Sequence, residues 1–149
     1  MAARAALAFA RQLADNNGQM AHTVSAAKIQ VIGAVRKGLP AGKLAEMAQR
    51  LSVERAVLLR ILGVSERTMQ RKQLRSDRLS PAASDRLSRI GRIYTLADEV
   101  FGDGEKASQW LKRPSRALAN EAPLCLLDTD AGAQQVEREL RQIQYGFVY

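Results

Sequence analysis

The stretch RAVLLRILGVSERTMQRKQLR, residues 55–75, decides the fold of this chain. Apolar residues recur at helical spacing as far as Leu62, and Gly63-Val64-Ser65 then interrupts the pattern before a second, polar helix. Glycine permits the left-handed backbone of a sharp turn, and Ser65 can accept hydrogen bonds from the free N–H groups at the start of the next helix. Two short helices joined in this way predict a helix-turn-helix.

The second of these helices carries side chains suited to the major groove of DNA. Arginine pairs with guanine edges, glutamine pairs with adenine, and short hydroxyl side chains hold phosphates. The candidate DNA-binding residues are Ser65, Arg67, Thr68, Gln70, Arg71, Lys72 and Arg75. Because Lys72 occupies a position where an apolar anchor is expected, Met69 and Leu74 must carry more of the packing. A helical hairpin used for dimerisation is the alternative interpretation.

The flanking sequence predicts an all-α protein, since no period-two alternation persists and apolar residues recur three and four positions apart. A cap at Ser80 with Pro81 in the first turn opens the longest helix. Helices are expected near residues 3–14 and 25–37, from Pro40, after a cap at Ser52, over 66–75, from Pro81 to Phe101, before Pro114, and from the capping residues 128–130 to Gly146.

Charge divides the 149 residues into two regions. Residues 1–97 hold 17 Lys and Arg against 6 Asp and Glu, a net charge of +11, whereas residues 98–149 hold 6 against 9, a net charge of −3. A basic first region predicts a polyanionic partner such as DNA. Arg86, Arg89 and Arg92 lie at spacings of three on one helix, where they either contact phosphates or form an ordinary solvated face.

Several classes of protein are excluded. No segment reaches the roughly 18 apolar residues of a membrane span. The alanine-rich start loosely suggests a signal peptide, but Arg11 interrupts it and favours a short helix. The single cysteine, Cys125, cannot form an internal disulfide and is expected to pack as a small apolar residue, which fits a reducing cytoplasm. Because the single histidine, His22, lies far from Cys125 in the sequence, we expect no zinc site. No catalytic cluster is present, so we expect neither an enzyme nor a cofactor.

Two blocks of the sequence resemble the Xre/MbcA/ParS-type antitoxins, the bacterial partners of RES-domain toxins. LLRILGVSERTMQRK is similar to the Xre-type helix-turn-helix. FGDGEKASQWLKRPSRALANEAPLCLLDTDAGAQQVERELRQIQYG is similar to the toxin-binding domain, through its WL, P-x-x-AL and P-L-x-LLDT-x-x-G elements. The resemblance covers residues 25–149 and implies a helical bundle, with a helix-turn-helix DNA-binding domain over 25–97 and a small helical toxin-binding domain over 98–149. Residues 1–24, which the resemblance does not cover, are expected to form an N-terminal extension that is helical or partly disordered.

The resemblance also implies a function. RES toxins resemble ADP-ribosyltransferases and consume NAD or transfer from it, and antitoxins of this type obstruct the toxin's NAD site with their C-terminal region. They also bind their own promoter as repressors, and they form homodimers within a hetero-oligomer with the toxin. A helix-turn-helix transcriptional repressor with a C-terminal dimerisation domain and no toxin is the alternative.

The tail supplies the candidate toxin contacts. Trp110, Leu111 and Leu118 are expected in the core of the small domain. The three leucines of PLCLLDT, residues 123–129, cannot all face inward on one short turn, so we expect at least one to reach a partner. The terminal YGFVY places three aromatic residues within five positions, which suits interface anchors. The candidate toxin-binding residues are Leu124, Leu127, Ile143, Tyr145, Phe147, Val148 and Tyr149. Folding of the terminus back onto the protein's own core is the alternative.

Overall fold

The structure, a computed structural model, describes residues 26–146. The expected first helix near residues 3–14 and the terminal Phe147, Val148 and Tyr149 lie outside the described residues. Contacts divide the chain into two compact units, with the boundary along the sequence between Arg36 and Lys37. A helix, α1, covers residues 26–37, close to the expected 25–37.

The second unit, described from residue 37 to residue 146, is built from helices, which confirms the all-α prediction. They are α2 (Gly42–Leu51), α3 (Arg55–Leu62), α4 (Glu66–Leu74), α5 (Pro81–Phe101), α6 (Gly104–Lys112) and α7 (Asp130–Gln144), with two 3₁₀ helices at Arg116–Leu118 and Pro123–Asp128. Among the described residues, extended pairing is limited to two isolated bridges, Pro40 with Arg78 and Ser115 with Glu121.

The long helix α5 forms the centre of this unit. It packs against α3, α6, α7 and the second 3₁₀ helix, and its buried residues include Leu87, Ile90 and Ile93. The predicted start is confirmed: Ser80 caps the helix by accepting a hydrogen bond from the Ala83 N–H at 3.2 Å. An apolar stripe that is buried on several sides makes α5 the element on which the other helices assemble.

Two predicted helix starts are wrong. Pro40 pairs with Arg78 as an isolated bridge, and α2 begins two residues later at Gly42. Ser52 does not cap α3; it ends α2 in a left-handed conformation, with φ of 50°, and its N–H donates to the carbonyl of Gln49. The carbonyls at the end of α2 need donors, and the turn at Ser52 supplies one, so α3 begins only at Arg55.

The tail shares one apolar core with the helix-turn-helix region. Ser108 of α6 is buried and donates through Oγ to the carbonyl of Leu51 at the end of α2, at 2.6 Å. As expected, Leu111 and Leu118 are core residues, while Trp110 is half-buried with its ring 5.8 Å from that of Phe101. The proposed boundary between residues 97 and 98 therefore lies inside α5, where both regions join without a linker.

Candidate functional site: the helix-turn-helix and the tail

A side chain of α5 stabilises the turn of the helix-turn-helix. Gly63 ends α3 with a φ of 69°, a conformation that side chains other than glycine rarely adopt. Arg86 of α5 donates from Nη1 to the carbonyl of Leu62 at 3.0 Å, and a Cβ added to Gly63 would lie 2.7 Å from that nitrogen. The turn is therefore fixed by a close side-chain contact as well as by its backbone geometry.

The hydroxyl groups at the start of α4 form the predicted cap. Ser65 Oγ accepts from the Thr68 N–H at 3.1 Å and donates to Thr68 Oγ1 at 2.9 Å. These contacts orient the first turn of α4, whose N–H groups suit an anion such as a phosphate. A phosphate contact by either hydroxyl remains a prediction.

Three predicted DNA-binding residues lie on the outward face of α4. Met69 is fully buried and anchors the opposite face. Arg67, Gln70 and Arg71 are exposed, and their spacing of three and four places them on one side of the helix. Arg75, the residue after α4, is also exposed. The structure thus presents two arginines and a glutamine together, in the combination that base edges can accept.

Lys72 is bound within the protein instead. Its Nζ donates to the carbonyl of Arg78 at 2.8 Å, and the residue is half-buried. Its neighbour Gln73 accepts from Arg55 Nη1 at 3.0 Å, and Arg55 also forms an ion pair with Glu66 at 3.1 Å. Lys72 therefore holds the segment that follows α4 in place, which explains a lysine where an apolar anchor is expected.

In this structure the three arginines of α5 donate hydrogen bonds to groups within the protein, and Arg92 is also exposed. Besides Arg86, Arg89 donates from Nη1 to the carbonyl of Leu127 at 3.2 Å and from Nη2 to Asp85 at 2.8 Å. Arg92 donates to Glu137 of α7 at 2.6 Å. One row of arginines thus connects α5 to the turn of the helix-turn-helix, to the second 3₁₀ helix and to α7.

Glu137 is the acceptor that joins α5 to α7. Burial raises the pKa of its carboxyl group, but the hydrogen bonds from Arg92 and Arg141 outweigh that effect. The pKa of Glu137 therefore lies below its ordinary value, and the charged form is favoured in the folded protein.

Two candidate toxin contacts are wrong for the folded chain. Leu124 and Leu127 are buried in the core, because a 3₁₀ helix repeats every three residues and turns both side chains the same way. Leu126 is half-buried, and Cys125 is exposed, contrary to the expected packing role. Leu124 and Leu127 therefore support the binding domain from inside and are not available to a partner.

The end of α7 is where candidate contacts are accessible. Ile143 is half-buried, and Tyr145 is 69% exposed as the residue that follows the helix. The position of α7 depends on Gly132, because a Cβ there would overlap the carbonyl oxygen of Leu126. Sequence reasoning missed this role, although the glycine of the LLDT-x-x-G element was its signal.

Residues 26–146 contain no group of three or more His, Cys, Asp or Glu side chains that could hold a metal ion. Within the same range, no helix is both long and apolar enough to span a membrane.

Comparison with known proteins identifies both regions of the chain. The antitoxin Xre-like helix-turn-helix domain matches residues 30–92, and the antitoxin Xre/MbcA/ParS C-terminal toxin-binding domain matches residues 96–146. The two matches occur in the order that the sequence predicts; the first ends and the second begins within α5.

Individual relatives match most of the chain. Antitoxin Xre of Photorhabdus laumondii subsp. laumondii is 31% identical over 115 residues, which are 76% of this chain and 78% of the relative. Antitoxin Xre of Yersinia enterocolitica is 31% identical over 64% of this chain and 65% of its own length. The Prs ADP-ribosylating antitoxin of Sphingobium sp. is 31% identical over 130 residues, 81% of this chain and 82% of that protein.

These relatives and both domain matches indicate a regulatory protein. The helix-turn-helix, the tail that is folded onto it and these similarities together show that the chain belongs to the Xre/MbcA/ParS family of antitoxins.

Proposed function

We propose that this antitoxin neutralises a RES-domain toxin that consumes NAD, that its C-terminal region obstructs the toxin's NAD site, and that it represses its own promoter. The observation that carries the proposal is the match of residues 96–146 to a toxin-binding domain, directly after a helix-turn-helix. One relative is named an ADP-ribosylating antitoxin, which supports NAD chemistry because NAD is the usual source of ADP-ribose.

The proposed toxin contacts are at the C-terminal end. Exposed aromatic residues are frequent anchors at interfaces, and Tyr145 is exposed where α7 ends. We propose Ile143, Tyr145, Phe147, Val148 and Tyr149 as the residues that bind toxin. The helix α7 packs against α5 and the second 3₁₀ helix, so the position of Ile143 on α7 is fixed by these contacts.

The proposed DNA contacts are on and beside α4. We propose that Arg67, Gln70 and Arg71 read base edges, and that Ser65, Thr68 and Arg75 contact phosphates. Helix-turn-helix proteins bind paired half-sites as dimers, so we propose a homodimer within the complex with toxin. We do not include Lys72 among the base-reading residues, because it is bound to the carbonyl of Arg78.

Co-expression with the RES-domain toxin that we expect to be encoded beside the antitoxin gene tests both activities. Replacing Arg67 and Arg71 by alanine should weaken promoter binding at least tenfold, since each base-reading arginine contributes about 1–3 kcal/mol, while growth rescue stays unchanged. Replacing Arg138, an exposed arginine of α7, by alanine is the matched control and should change neither.

A chain that ends at Gly146 should bind the promoter but lose growth rescue. Full rescue by this shortened chain would remove the terminal residues from the proposed toxin site. Loss of both activities in folded Arg67→Ala/Arg71→Ala protein would argue against two separate surfaces. Failure of the full chain to rescue growth would favour a repressor without a RES toxin.

A further inference from the structure

Leu74 is an apolar residue on the outward face of α4. It is the last residue of the helix, and 88% of it is exposed, although the sequence predicts that it packs. A single exposed leucine is ordinary in proteins, so exposure alone carries no conclusion. Its position is more informative: Leu74 follows Arg71 by three residues, Gln70 by four and Arg67 by seven, the spacings that share one helical face.

The rest of α4 leaves Leu74 as the apolar element of that face. Met69, the other large apolar residue of the helix, is fully buried on the opposite side. Lys72 and Gln73, which flank this face, are bound to Arg78 and Arg55 within the protein. The outward surface therefore consists of two arginines, one glutamine and one leucine.

The positive charge around Leu74 favours DNA, and not another protein, as the partner that Leu74 contacts. Arg67, Arg71 and the adjacent Arg75 are all exposed, and such a cluster attracts a polyanion. Each thymine presents an apolar C5-methyl group in the major groove, and this group separates thymine from cytosine. The rise of a helix places Leu74 about 10 Å from Arg67 along the axis, a length of about three base pairs.

We propose that Leu74 contacts a thymine methyl group and selects T·A over C·G at one position in each half-site of the promoter. This inference rests on the proposed binding of α4 to promoter DNA and adds an apolar contact to the polar ones.

Replacing thymine by deoxyuridine tests the contact, because it removes the methyl group and leaves the hydrogen-bonding edges unchanged. The probe is the DNA upstream of the antitoxin gene, footprinted and then synthesised with thymine or deoxyuridine in the protected region. Fluorescence anisotropy gives the Kd of each DNA. Wild-type protein should bind deoxyuridine DNA about fourfold more weakly for each methyl group contacted.

Leu74→Ala should bind both DNAs equally. Leu74→Met, which keeps an apolar side chain, should still bind deoxyuridine DNA more weakly than thymine DNA. Arg71→Ala serves as the control: it should bind more weakly but still distinguish the two DNAs. If wild type and Leu74→Ala lost the same affinity when thymine is replaced by deoxyuridine, the proposed contact would be overturned, while the proposed promoter binding would stand.

Absence of promoter binding by wild-type protein would overturn the proposed DNA-binding function and this inference with it. A smaller assembly of Leu74→Ala in light scattering, with an unchanged deoxyuridine penalty, would assign Leu74 to contact with a second copy of the chain and would also overturn the inference.

Discussion

Replacing Gly132 by alanine should destabilise the protein, although alanine is the better helix former. Gly132 lies in the first turn of α7, where its N–H donates to Thr129 Oγ1 at 3.0 Å. An added Cβ would overlap the carbonyl oxygen of Leu126 and would lie 2.8 Å from its carbonyl carbon. These are backbone atoms, which cannot rotate away, so α7 or the second 3₁₀ helix must shift.

The size of the effect follows from two opposing contributions. Helix propensity favours alanine over glycine by about 1 kcal/mol. Forcing an extra carbon into a packed contact costs about 1–3 kcal/mol, and a backbone neighbour places this case in the upper part of that range. We therefore expect the free energy of unfolding to fall by about 1–2 kcal/mol and Tm to fall by about 3–8 °C.

Urea unfolding followed by circular dichroism measures the change, with Gly42→Ala as the matched control. Gly42 is the first residue of α2, and an added Cβ there meets no atom within 4 Å. Gly42→Ala should therefore leave stability unchanged or raise it by up to about 1 kcal/mol. If Gly132→Ala proved as stable as Gly42→Ala, the close approach of α7 to Leu126 would be refuted.

Three further substitutions test other contacts. Glu137→Gln should cost less than about 1 kcal/mol near pH 7, because the carboxylate's pairs are partly exposed. Because the pKa of Glu137 is lower in the folded protein, the stability difference between variant and wild type should vanish as pH falls from about 4.3, the ordinary glutamate pKa, through the folded pKa. An equal difference in the free energy of unfolding near pH 7 and near pH 3, measured by urea titration, would contradict this. Leu127→Ala should lower the free energy of unfolding in urea by about 2–5 kcal/mol, because Leu127 is buried. Cys125→Ala, at an exposed position, should lower it by less than about 0.5 kcal/mol, and equal losses for the two variants would contradict the burial of Leu127. Ser65→Ala should cost about 1 kcal/mol by scanning calorimetry, because it removes the acceptor for Thr68, and an unchanged Tm would argue against that cap.

The features that the sequence predicts correctly are local ones. The turn at Gly63, the cap at Ser65 and the start of α5 at Ser80 each depend on residues within a few positions of one another. Short-range hydrogen bonding and backbone conformation determine them, so residue type and spacing are sufficient.

The features that the sequence could not predict depend on distant partners. Arg86, Arg89 and Arg92 find their acceptors 24, 38 and 45 residues away, and no local pattern identifies such pairs. The burial of Leu124 and Leu127 follows from packing against α5 and α7, which a short apolar segment does not reveal. Resemblance to a family indicated the regions that bind DNA and toxin, whereas the structure shows which side chains are accessible in them.

NAD consumption by the proposed RES-domain toxin, measured while the full-length antitoxin is titrated in, tests the central claim most directly. We predict that consumption stops at stoichiometric antitoxin. Arg67→Ala/Arg71→Ala protein should inhibit as well as wild type, and a chain that ends at Gly146 should inhibit much less. If NAD consumption continued undiminished with antitoxin in excess, although the antitoxin had bound the toxin, obstruction of the NAD site would be contradicted.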